Sequence, residues 1–136
     1  MTCADYKLQA EVECGNIEYK MVINNNTEHK INKLGTQMLY RLYQGSGYVI
    51  YYIGVCDDGK IVGLSKKELS KSFLILQKVS NKIDAKLINF IKKEVKNTKK
   101  YYMKVIFKKD LNLSLLNMTI HENNEDNEDN EDKLNK

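Results

Sequence analysis

The segment Gly54–Lys60 matches the G-x-x-x-x-G-K pattern of a phosphate-binding loop. In a working loop, the residue after the lysine is Ser or Thr, whose hydroxyl holds Mg²⁺, and here that residue is Ile61. Asp57 and Asp58 add negative charge where the backbone should face phosphate anions. Residues 61–64 have the composition of a strand, whereas bound phosphates need a helix N-terminus. The sequence therefore predicts a hairpin turn, no bound cofactor and no GTPase or ATPase activity of this chain's own.

A second stretch with binding chemistry is rich in lysine and tyrosine. Residues 1–110 hold 20 Lys and Arg against 11 Asp and Glu, whereas residues 111–136 hold 2 against 7. A basic body indicates phosphate-rich partners, because each lysine at a phosphate releases counterions. Tyrosine rings stack on bases. An RNA-binding surface is therefore predicted at Lys92, Lys93, Lys96, Lys99, Lys100, Tyr101 and Lys104. The alternative is that these lysines solvate a loop and protect an edge strand.

The cysteines and the hydropathy bear on the cellular compartment. Cys3, Cys14 and Cys56 are odd in number, and with His29 and His121 they form no zinc-binding spacing. This usage is typical of free thiols in a reducing compartment. The chain has no apolar leader and no apolar run of 18 residues. A cytoplasmic protein without a membrane partner is predicted.

Apolar periodicity predicts an α+β domain in the order β-α-β-β-α-β-β, with two helices packed on one side of a mixed sheet. One helix is predicted for Thr27–Gln44 with Thr27 as its N-cap, and the second follows a capping box at Ser65 and Glu68. Strands are predicted at Asn16–Ile23, Tyr48–Val55, Lys60–Leu64, Lys86–Ile91 and Tyr101–Lys108.

Composition divides the chain into an N-terminal segment at residues 1–14, one domain at 15–110 and a tail at 111–136. The tail repeats Asn-Glu-Asp three times. Such a sequence buries too little apolar surface to offset the entropy of ordering. The tail is therefore predicted to be acidic and disordered.

Several short strings follow one another in the chain: Gly15–Lys20, Thr36–Met38, Arg41–Leu42, Gly45, Gly47, Tyr52–Val55, Asp58–Gly59 and Val62–Leu64. In their order and spacing they resemble the domain that precedes the G domain in the GTP-binding protein 1 and 2 family of elongation-factor-like GTPases. The resemblance implies a setting in translation, ribosome-associated quality control or RNA turnover. In that family GTP is bound by the G domain, which these strings do not include.

This resemblance predicts an accessory module that binds RNA, the ribosome or a protein partner and has no GTPase activity. One alternative is that the chain is the N-terminal part of a longer GTP-binding factor.

A second resemblance is to the core of Schlafen and AlbA-type domains. It rests on Glu13 and Glu18, five residues apart and followed by Tyr-Lys, and on the Gly-Val-x-Asp-x-Gly-x-x-x-Gly string that begins at Gly54. In those domains two glutamates and an aspartate form a divalent-metal site that cleaves RNA. The resemblance implies that Glu13, Glu18 and Asp57 are catalytic residues and ligands of Mg²⁺ or Mn²⁺, with Asp58 as an alternative third carboxylate. A metal-dependent ribonuclease is thus a further alternative.

Overall fold

A computed structural model describes residues 7–111, so the predicted disordered tail lies outside the described residues except for Leu111. The predicted α+β class is confirmed, with four strands and two helices. The sheet has the order β1-β2-β4-β3, in which β1 and β2 are parallel and the other pairs are antiparallel. The elements are β1 (Ile17–Lys20), α1 (Glu28–Gln44), β2 (Tyr48–Ile53), α2 (Lys66–Lys82), β3 (Lys86–Val95) and β4 (Lys100–Lys108).

Both helices begin at the predicted caps. The Thr27 side chain accepts a hydrogen bond from the Lys30 amide at 3.3 Å. Ser65 and Glu68 form the reciprocal capping box, each side chain accepting from the other residue's amide. These bonds satisfy amides that have no partner inside the helix. Neither helix is long and apolar enough to cross a membrane, within the part of the chain described.

The predicted strand at Lys60–Leu64 is wrong. This stretch instead makes single bridges to three different partners, pairing Lys60 with Lys7, Ile61 with Val55, and Leu64 with Tyr101. The cause lies in two glycines, one before this stretch and one within it. Gly54 and Gly63 have φ values of 91° and 85°, which turn the chain between bridges and prevent a continuous ladder.

The first strand is also shorter than predicted and ends at Lys20 rather than Ile23. Ser72, buried on α2, takes the backbone groups that a longer strand would use. Its hydroxyl accepts from the Ile23 amide at 2.9 Å and donates to the Ile23 carbonyl at 3.1 Å. The segment after β1 is therefore attached to α2 instead of to the sheet.

The two faces of the sheet differ. Both helices pack on one face, where Tyr51, Ile53 and Phe107 are fully buried with helix side chains such as Leu34 and Leu76. On the other face a smaller cluster joins Tyr19, Val55, Ile61 and Val95, with Leu8 packed against it. Residues 7–14, assigned by sequence to a separate segment, thus contact the domain. No helix of the described chain covers this second face, which we call the helix-free face.

Candidate functional site

The segment that matches a phosphate loop is folded as a tight turn. The Cys56 amide donates to the Lys60 carbonyl at 2.9 Å, and the Gly59 amide donates to the Cys56 carbonyl at 2.8 Å. The Leu8 amide donates to the Gly59 carbonyl at 2.7 Å, so the N-terminal segment lies directly on the turn. Helix α2 begins only at Lys66. These amides are bonded within the turn, and the helix does not follow the lysine as phosphate binding would require.

The three carboxylates predicted as metal ligands line one pocket. Glu18 projects from β1 and is buried, whereas Glu13 and Asp57 are exposed at the rim. Sequence reasoning missed two other residues of this pocket, Glu11 and Arg41. Arg41 carried a signal, because it is the chain's one arginine and fell inside a helix on its apolar side.

Arg41 is buried and every one of its N–H groups has an acceptor. The Nε–H donates to Glu18 Oε1 at 2.8 Å, and Nη2 donates to Glu11 Oε2 at 3.1 Å. The remaining bonds go to backbone carbonyls of the segment that precedes β1. Lys20 lies 3.4 Å from the other oxygen of Glu18. Arg41 therefore balances two carboxylates and attaches residues 11–15 to helix α1. The carbonyl acceptors are those of Val12, Cys14 and Gly15.

Burial and neighbouring charges shift the pKa values of groups in and near this pocket. Burial raises the pKa of Glu11, and the neighbouring charge of Glu18 raises it further, although the amide of Tyr19 and the guanidinium of Arg41 act in the opposite direction. Burial also raises the pKa of Tyr51, whose hydroxyl has no hydrogen-bond partner. Arg41 is thus the cation that pairs with both Glu11 and Glu18, while Lys20 pairs with Glu18 alone.

The spacing of the carboxylates bears on the predicted metal site. Within residues 7–111, no group of three His, Cys, Asp or Glu side chains is close enough to hold one metal ion. Glu18 is already bound to two cations, Arg41 and Lys20. The catalytic and metal-binding roles of Glu13, Glu18 and Asp57 stay predictions.

The helix-free face presents aromatic, aliphatic and basic side chains in rows across the strands. Because successive side chains alternate between faces, strand register assigns each row. One row is aliphatic and two combine tyrosine with lysine. Tyr19 is buried beneath the N-terminal segment, whereas Tyr48 is exposed. The rows are Ile17–Ile50–Ile106, Tyr19–Tyr52–Lys104 and Tyr48–Lys108–Lys86.

The predicted RNA-binding residues divide between the two faces of the β3–β4 hairpin. Lys93, opposite Tyr102, lies on the helix-free face with Lys100 and Lys104. Lys92 and Tyr101 lie on the helix side, where the Lys92 ammonium is 5.6 Å from the centre of the Tyr101 ring. The other two, Lys96 and Lys99, lie in or beside the turn that joins β3 to β4.

The face also contains residues that the sequence analysis did not select. Tyr48 and Tyr52 lie on β2, and the Lys108 ammonium is 5.5 Å from the centre of the Tyr48 ring. Tyr48 is 42% exposed, so part of its ring is accessible. Their alternation along β2 is visible in the sequence, which does not say what lies beside them. The register with β4 was needed to place them beside the lysines.

Comparison with known proteins adds a relationship over part of the chain. The chain is 39% identical to GTP-binding protein 2 of Mus musculus and of Homo sapiens over 88 residues, which are 65% of this chain and 15% of each relative. This similarity supports a relation to the GTP-binding protein 2 family. An uncharacterized protein of Acanthamoeba polyphaga mimivirus is 36% identical over 78 residues, 57% of this chain and 42% of that protein. No family model and no solved structure matches the chain.

Proposed function

We propose that the chain is an RNA-binding accessory module that uses the helix-free face of its sheet. The observation that carries this proposal is the outer row of that face, in which the exposed Tyr48 lies beside Lys108 and Lys86. Lysines neutralise phosphates and release counterions, while tyrosine rings stack on bases without selecting a sequence. A single-stranded RNA laid along this row would meet both kinds of group at once.

The charge of the β3–β4 hairpin supports the same assignment. Between Lys86 and Lys108 the sequence has eight lysines and one acid, Glu94. Seven of these lysines are exposed, and Lys104 is half-buried between the strands. Such a concentration of one sign of charge attracts a polyanion and speeds its association.

The relatives support a setting for this function but do not indicate which residues bind RNA. GTP-binding protein 2 is named for GTP binding, and this chain spans about 15% of its length. We do not extend GTP binding to residues 7–111, because the one matching loop is a turn closed by its own hydrogen bonds. An accessory RNA-binding role beside a GTP-binding domain is the function that we infer, in translation or RNA turnover.

Reversing three exposed charges on or beside the helix-free face is expected to weaken RNA binding. The variant combines Lys93→Glu, Lys100→Glu and Lys108→Glu. Loss of about three phosphate contacts should lower affinity for a single-stranded RNA by at least ~10-fold and flatten the salt slope by about 2. Fluorescence anisotropy with a labelled oligonucleotide at several salt concentrations measures both quantities.

A matched control carries the same change of net charge on the opposite side. Lys67→Glu, Lys71→Glu and Lys78→Glu replace exposed lysines of α2, which packs on the other face. The control should retain most of the affinity. Equal losses in the two variants would mean that RNA responds to overall charge and that the face is not the binding site.

The ring of Tyr48 is expected to contribute stacking. Removing it in Tyr48→Ala should cost about 1–3 kcal/mol of RNA binding, because a base loses its aromatic partner. Tyr48→Phe keeps the ring and should bind like the unmodified chain. Anisotropy measured at high salt, where lysine contacts are weakened, gives the clearest comparison. Equal affinities for the Ala and Phe variants would contradict stacking at this position.

A further inference from the structure

Strand β3 forms a free edge of the sheet. Within residues 7–111 its one neighbour is β4, so the backbone groups on its other side are not used in the sheet. Ten residues make this edge about 33 Å long. Edge strands bind other extended segments unless something covers or blocks them. This edge also carries exposed apolar side chains, with Ile88 at 52%, Phe90 at 48% and Ile91 at 48%.

The edge changes character along its length. Its first half is apolar, from Leu87 to Ile91. Its second half and the following turn are basic. Leu74 of α2, 65% exposed, extends the apolar half beside Phe90. The basic half contains Lys92, Lys93, Lys96, Lys99 and Lys100.

Residues 112–132 are also divided into two parts, an apolar part followed by a charged part, here acidic instead of basic. Their first nine residues are apolar at nearly alternate positions, and seven acids follow before the next lysine, Lys133. The apolar residues are Leu113, Leu115, Leu116, Met118 and Ile120. The acids are Glu122, Glu125, Asp126, Glu128, Asp129, Glu131 and Asp132.

The described chain ends beside the apolar half of β3. Lys86, the first residue of β3, pairs with Lys108, the last residue of β4. Lys109 and Asp110 border the same surface pocket as Lys86 and Ile88. Eight extended residues span about 26 Å, whereas the ten residues of β3 span about 33 Å. A course parallel to β3 therefore takes residues 113–120 along most of the strand and brings the acids to its end and to the turn lysines, Lys96 and Lys99.

We propose that residues 112–132 bind along the free edge of β3, parallel to that strand. The apolar residues cover Ile88, Phe90 and Ile91, and the acids pair with Lys96, Lys99 and Lys100 at the far end of the strand. The opposite direction would carry the acids past the start of β3 and away from these lysines. Single surface ion pairs contribute little, but a tethered segment is present at a millimolar effective concentration. Insofar as the RNA-binding proposal holds, the segment competes with RNA for Lys100.

Hydrogen exchange of the full chain tests the contact without RNA. In the unmodified chain, the amides of Lys86–Val95 should exchange about tenfold slower than in a neutral variant, because a bound segment protects a strand edge. The neutral variant changes the seven acids of residues 122–132 to Gln or Asn. A second variant exchanges the order of segments 112–120 and 121–132, which keeps composition and net charge while removing the match to β3.

The result expected is protection in the unmodified chain and faster exchange in both variants. Equal exchange in all three proteins would overturn the proposal. Protection that increases with protein concentration would also overturn it, because the occupant would then be a second copy. Since no RNA is present, a failure here leaves the RNA-binding proposal standing, and a failure of RNA binding leaves this result unaffected.

Discussion

Replacing Arg41 with Met should lower the free energy of unfolding by about 3–5 kcal/mol, the range expected when one partner of a buried ion pair is removed. Met fills much of the same volume but has no donors. Glu18 would lose its closest cation, at 2.8 Å, and three backbone carbonyls of residues 12–15 would lose their donor. Urea unfolding followed by circular dichroism measures the loss.

Lys33→Met provides the matched control for this experiment. Lys33 lies exposed on the same helix, and its replacement removes the same charge. The change in stability should stay within about 0.5 kcal/mol, as for most surface substitutions. If Arg41→Met unfolded at the same urea concentration as the control, the network around Arg41 would not stabilise the fold.

Substitution of Gly59 by Ala should destabilise the contact between the N-terminal segment and the turn. The new Cβ would lie 2.0 Å from the Leu8 carbonyl oxygen, so residues 7–9 must move away. The hydrogen bond from the Leu8 amide to Gly59 and the packing of Leu8 on the helix-free face would be lost. Alanine is also strained at the φ of +94° found at this position. Together these effects should lower the free energy of unfolding by about 3 kcal/mol.

Gly15→Ala separates the two causes of this loss. Gly15 has a similar φ of +90°, but a Cβ there meets nothing within 4 Å. The Gly15→Ala variant should therefore lose only the energy of backbone strain, about 1–2 kcal/mol of unfolding free energy. Thermal unfolding of both variants gives the comparison. Equal stabilities would indicate that residues 7–9 adjust freely and do not hold the turn.

Local sequence determined the parts of the fold that depend on neighbouring residues. The caps at Thr27 and Ser65 use side chains that bond amides three residues away, so each helix start was predictable. The turn at Gly54–Lys60 was predictable for the same reason, because Asp and Gly favour turns and Ile61 cannot hold Mg²⁺. The strand predicted at Lys60–Leu64 is absent because the turns at Gly54 and Gly63 direct it to separate partners, two of which, Lys7 and Tyr101, are distant in sequence.

The lysines and carboxylates were identified by type, but their grouping was decided by tertiary structure. Alternation in a strand gives two faces, and only the register between strands tells which face meets a neighbour. That register placed Tyr48 beside Lys108 and moved Lys92 to the helix side. In the same way, Glu18 was predicted as a metal ligand, and the tertiary structure buries it against Arg41 of α1. The sequence alone thus determined which chemical groups are present, and long-range packing determined which of them face the same partner.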